Sequence, residues 1–206
     1  VAGSTRHDFD GLFSLYLWIG IGVAVLVFAS VAFALVRYRD REGRTPSRRS
    51  EANALEIGAA TLIVAVVALL LFRTFSTEAR EDDAAAEPLR IDVTAFQWGW
   101  RFTYPGQGVS VVGDNTEQPA FAVPGNQPVA FALRSADVVH SFWIPSERFK
   151  RMAIPGRVER FDIDFEEQGH EEGLCTEFCG LHHSGMRFGV WILSQASYKR
   201  WLSAHR

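Results

Sequence analysis

From Leu12 to Val36 the chain runs for 25 residues without a charge. Coiled as an α-helix at 1.5 Å per residue, that run reaches about 37 Å, more than the roughly 30 Å hydrocarbon core of a bilayer. It predicts a transmembrane helix over 12–36, tilted to fit. The run is too long for the apolar region of a secretion signal, and no small-residue cleavage pattern precedes the basic residues after it, so the helix is expected to be retained. A second apolar run, Ile57 to Phe72, is 16 residues long. As a helix it covers only about 24 Å, so spanning requires Leu55 and Glu56 at one end and Arg73 to Phe75 at the other, giving a second helix over 55–75. A buried soluble helix is the alternative, but beside a membrane span it has little else to pack against. Residues 1–77 are read as a transmembrane helical hairpin.

The link between the two runs carries Arg37, Arg39, Arg41, Arg44, Arg48 and Arg49 against Asp40, Glu42 and Glu51. Cytoplasmic loops collect such positive charge, so the link is placed inside and both termini, with everything after Thr77, on the periplasmic or outer face. Residues 78–88 are acidic and Ala-rich and read as a solvated connector. From Leu89 the periodicity changes to two. Ile91, Val93 and Ala95 alternate with polar residues, as do Phe161, Ile163 and Phe165. Such alternation marks half-buried strands. Further strands are expected over 100–104, 109–112, 129–133, 140–144 and 188–193, separated by Pro-Gly, Gly-Asp and Pro-Gly-Asn turns. Residues 89–206 are therefore read as an all-β sandwich or barrel. A short closing helix over 197–205 puts Tyr198, Trp201 and Leu202 on one face.

Composition narrows the chemistry. Twenty-one Lys and Arg against 24 Asp and Glu leave a net charge of −3, which excludes a protein held to nucleic acid by phosphate contacts. Two cysteines cannot make a disulfide scaffold, and there is no Gly-rich phosphate loop. What remains is one cluster near the end: Cys175, Glu177, Cys179, His182, His183 and Met186, within twelve residues. Two thiols in an oxidising compartment would ordinarily pair. A metal is the alternative that also accounts for the imidazole and thioether beside them. Thiolate, imidazole and thioether together suit copper, whereas zinc would not need the methionine. A mononuclear blue-copper site takes one Cys and two His, so the extra thiolate points to two copper ions. The second histidine has a candidate in His140, at the start of a predicted strand; a core histidine bonded to backbone is the other reading of that residue.

These pieces resemble subunit II of the haem-copper respiratory oxidases, the cytochrome c oxidase type. The resemblance rests on the two-helix hairpin, Gln97-Trp98-Gly-Trp100, Asp137-Val-Val-His140-Ser-Phe, Ala153-Ile-Pro-Gly-Arg157 and the Cys-to-Met cluster. It implies a cupredoxin-type β-barrel with a dinuclear copper A centre, bridged by Cys175 and Cys179. His140 and His183 would each bind one ion, with Met186 on one copper and the Glu177 carbonyl on the other. The Glu177 side chain would reach a magnesium ion shared with subunit I. Trp98 would be the residue through which electrons arrive, and Glu56 the mouth of a proton channel, as its place at the inner end of the second span also suggests. The chain departs from the family at Gly99, where an aromatic commonly stands, and in lacking a proline after Glu56.

The function so implied is acceptance of single electrons from a c-type cytochrome, passed through copper A to haem in subunit I for oxygen reduction coupled to proton pumping. The partners would be subunit I, subunit III, the donor and membrane lipid. No Cys-x-x-Cys-His haem motif is present, so the donor comes from outside. Residues 78–206 hold 18 acidic against 13 basic residues, a balance of −5 that suits a cationic partner. The alternatives are a copper A nitric oxide reductase subunit and a membrane-anchored copper-binding or assembly protein; a quinol oxidase subunit would lack the copper ligands. His182, adjacent to a proposed ligand, is expected to point away from the metal. His170 is read as exposed, and His7 and His205 as tail residues.

Overall fold

The computed structural model describes residues 5–39, 52–81 and 89–206. The chain divides into a helical unit, Asp10–Thr77, and a β-unit over Glu78–Arg206 together with the first nine residues. Helix α1 is Thr5–Arg37 and α2 is Asn53–Glu81. Both are long and apolar enough to cross a membrane: Phe9–Arg37 contains an 18-residue stretch of mean hydropathy 2.7, and Asn53–Thr77 one of 2.6. They turn Trp18, Phe28, Leu35 and Phe72 outward, the side chains a helix offers to lipid rather than to water. The Tyr16 hydroxyl and Thr74 Oγ1 meet at 2.8 Å, so the start of α1 lies beside the end of α2. Helix α2 runs to Glu81 and takes in four residues expected as connector; 82–88, and the basic link over 40–51, lie outside the described residues.

The β-unit contains β1 Leu89–Phe96, β2 Gly99–Tyr104, β3 Val109–Asp114, β4 Ala120–Pro124, β5 Pro128–Ser135, β6 His140–Ile144, β7 Phe149–Ala153, β8 Glu159–Asp164, β9 Gly169–Cys175 and β10 Arg187–Leu193, closed by α3 Gln195–Ala204. They form two five-stranded sheets, β3-β2-β1-β5-β8 and β4-β10-β9-β6-β7. Pairing is antiparallel except for β1 with β5 and β4 with β10. Strands β4, β7 and β9 were not expected from the pattern of the sequence. Helix α3 begins where the Ser194 side chain accepts the Ser197 amide, a cap that satisfies one of the free amides of its first turn.

Period-two burial builds the core. Ile91, Val93 and Ala95 point inward with no exposure, as do Trp100 and Phe102 on the neighbouring strand. In the core the phenylalanines stack: Phe102 on Phe121 across the two sheets with ring centroids 4.2 Å apart, and, within a sheet, Phe131 on Phe161 at 5.4 Å and Phe142 on Phe188 at 4.8 Å. Each buried aromatic contributes a few kcal/mol through area removed from water, with a further gain of about 0.5–1.5 kcal/mol per ring pair. A polar staple also crosses between the sheets, because the Tyr104 hydroxyl donates to the Ala122 carbonyl and accepts from the Ala122 amide. Burial holds that phenol protonated far above its ordinary range.

Candidate metal centre

The cluster sits where β9 ends and β10 begins. Their ladder pairs Gly173 with Phe188 and Leu174 with Arg187, and beyond it the Cys175 amide donates to the Met186 carbonyl at 3.0 Å. Cys175 and Met186 thus face each other across the mouth of the loop 176–185. On the other side of β9, β6 pairs Phe142 with Cys175, which brings His140 beside the loop although 35 residues separate it from Cys175. Thr176 fastens this edge through its amide to the Ser141 carbonyl and its hydroxyl to Ser141 Oγ.

The donor atoms converge. Cys175 Sγ lies 3.9 Å from Cys179 Sγ, 3.9 Å from His140 Nδ1 and 3.3 Å from the Glu177 carbonyl oxygen. Cys179 Sγ lies 3.5 Å from His183 Nδ1 and 3.8 Å from Met186 Sδ. His140, Cys175, Cys179 and Met186 are buried, and His183 and Glu177 are half-buried. Among the described residues, His140, Cys175 and Cys179 form the group whose donor atoms all lie within 4.8 Å of one another. The cysteines are free thiols, far beyond the roughly 2.05 Å of a disulfide. At a metal–thiolate bond length of about 2.3 Å, a separation of 3.9 Å lets one ion touch both sulfurs.

The electrostatics ask for a cation. Burial opposes ionisation of Cys175, yet hydrogen bonding from His140 and from backbone amides lowers its thiol to about 7. Burial and the adjacent Cys175 thiolate push Cys179 up to about 12. Without a metal the pocket tolerates one thiolate but resists a second; positive charge between the sulfurs removes that resistance. His140 is oriented for donation, because its Nε2 meets the Asp137 carboxylate at 2.8 Å. A carboxylate there keeps a proton on Nε2, so a metal ion displaces the proton from Nδ1 and takes up the lone pair that faces Cys175. Asp137 is itself kept below its ordinary pKa against a burial cost, by His140 and by the Gln97 and Val138 amides.

Trp98 is half-buried and its indole N–H donates to the Cys179 carbonyl at 3.0 Å. His182 is exposed, with its ring edge-on to Trp98 at 4.8 Å. His170 lies exposed against Trp191, and His205 stacks on Trp201, both away from the cluster; the His7 side chain lies outside the described residues. Glu56 belongs to the helical unit, exposed in the first turn of α2. Two residues given no role from sequence enter here. Asp137 is signalled by its place three residues before His140. Gln97 has no local signal, since its side-chain partner, the Cys179 carbonyl, lies 82 positions away.

Fold and site together define a cupredoxin-like sulfur- and imidazole-lined domain joined to two membrane-length helices. The family described as cytochrome C oxidase subunit II, periplasmic domain, matches residues 113–192. Cytochrome c oxidase subunit 2 of Cereibacter sphaeroides is 27% identical over 97% of this chain and 76% of its own length. The same subunit of Synechocystis is 25% identical over 99% and 74%. The crystal structure of the periplasmic domain of subunit II of cytochrome oxidase from Bradyrhizobium japonicum superposes with a TM-score of 0.54 at 26% identity, covering 60% of this chain and 96% of that one. By these comparisons the chain is similar to subunit II of cytochrome c oxidase.

Proposed function

We propose that this chain is the electron-accepting subunit of its oxidase, with a dinuclear copper A centre that the Cys175 and Cys179 thiolates would hold. His140 and His183 would each supply an imidazole to it, Met186 its thioether and Glu177 its backbone carbonyl. The observation that carries this reading is the convergence of two thiols, two Nδ1 atoms and a thioether at 3.5–3.9 Å. When bound, the pair of coppers supplies a one-electron carrier whose charge change is spread over two ions and two sulfurs.

The chain's own residues do the rest. Trp98 offers an aromatic edge to a c-type cytochrome, and its indole N–H is one hydrogen bond from the backbone of Cys179. Phe178 and Leu181, 80% and 82% exposed on the metal loop, suit close apolar contact with the haem-bearing subunit I. Glu177 lends its side chain to a magnesium ion shared with that subunit, where oxygen is reduced. Glu56 takes up protons at the inner end of α2, both termini face the outer side of the inner membrane, and subunit III completes the assembly.

Electron spin resonance of the copper-loaded chain tests the reading. The expected result is a mixed-valence dinuclear signal at two coppers per chain, lost in Cys175→Ser. A mononuclear or silent site would instead support a copper-binding or assembly protein.

A further inference from the structure

Gln97 stands in the turn between β1 and β2 and reaches both halves of the donor set. Its backbone amide donates to Asp137 Oδ2 at 2.6 Å, and Asp137 Oδ1 holds His140 Nε2 at 2.8 Å. Its side-chain Nε2 donates to the Cys179 carbonyl at 2.7 Å, beside the Trp98 indole N–H on the same oxygen. The peptide after Cys179 is closed in by these two donors. Gly180 has φ +118°, and a Cβ there would lie 3.1 Å from Trp98 Cζ2 and 3.2 Å from Gln97 Nε2. Cys179 Sγ lies against both His183 Nδ1 and Met186 Sδ, so fixing its backbone fixes the corner the loop donors share.

We infer that Gln97 is a positioning residue for the metal centre: its side chain anchors the Cys179 peptide while its backbone amide, through Asp137, anchors His140. This rests on the copper reading above. The side-chain bond does two things. It removes freedom from the loop, and it aims an N–H dipole at a carbonyl one residue's covalent reach from a thiolate, drawing electron density from the site. Partners of this outer kind typically change metal affinity or activity by about 10–100-fold when removed. The backbone half survives any substitution other than proline, so side-chain variants isolate the Cys179 contact.

The test compares the full chain in detergent with Gln97→Met, close in length but no donor, and Gln97→Lys, which restores an N–H. Spin resonance, reduction potential, copper retention against a chelator and melting of the copper-free protein are read together. In Gln97→Met the expected outcome is two retained coppers with altered hyperfine splitting, a lower potential, about tenfold weaker retention and an unchanged melting temperature. Gln97→Lys should move each reading back towards the parent. A Gln97→Met chain with parental spectrum, potential and retention overturns the inference. So does one that fails to fold, or a Gln97→Lys chain altered to the same extent, since each assigns the side chain to the fold alone. A parental chain without a dinuclear signal overturns the proposed function first, and this role with it.

Discussion

A single indole illustrates how one residue can serve packing and chemistry differently. Trp100 is wholly buried among Phe142, Phe188 and His140, whereas Trp98, two residues earlier, keeps part of its ring in solvent and spends its N–H on Cys179. Replacing Trp98 by Phe preserves an aromatic of similar shape and deletes that hydrogen bond. Copper content should hold, while electron transfer from reduced cytochrome c into the assembled oxidase should slow by about tenfold or more, as stopped-flow absorbance would record. An unaltered rate, or an unfolded β-unit with no kinetic change in what survives, would return Trp98 to a packing role. At this scale the donors were legible because thiol, imidazole and thioether types fall within twelve residues and the chemistry of each is local. Asp137 and Gln97 were not assigned because what makes them matter is a partner brought close by the fold.

Strands were legible where one face is buried and the other wet, as in β1 and β8, since burial then repeats with the side-chain period. β4 escaped because nearly all of Ala120–Pro124 is buried, which erases the alternation. β9 escaped for the opposite reason: Gly-His-Glu-Glu-Gly-Leu-Cys has a loop's composition, and its place between β10 and β6 comes from pairing on both sides rather than from propensity. Its glycine at 173 is required by contact. A Cβ there would stand 2.0 Å from Phe188 Cζ, in a ring already stacked on Phe142. Gly173→Ala should therefore cost about 1–3 kcal/mol by overpacking, lowering the melting temperature of the β-unit in circular dichroism. Parental melting would mean that the Phe188 ring yields without loss.

Taken whole, the β-unit has a chemical end and a second, acidic end. The turn between β6 and β7 carries Glu147, which is only 4% exposed and lies about 13 Å or more along the strands from the loop. Burial, and then the Glu171 carboxylate, raise it to about 7, with Arg6 opposing and Glu166 adding to the rise. The folded protein therefore binds a proton that the unfolded chain releases near 4.5. The stabilisation is full below that value, is lost as pH climbs to about 7, and is flat beyond; the total is about 3 kcal/mol. Thermal unfolding from pH 4 to 8 should show the decline, and Glu147→Gln should flatten it. An equal slope in the variant would place the titration elsewhere. At the chemical end, Cys175 and Met186 occupy the final rung where β9 meets β10, and the ladder beneath them keeps its register whatever lies between. Changes of length or content within 176–185 therefore need not disturb the sheets. Over descent, such a cassette can be rewritten while the two sheets beneath it are inherited intact.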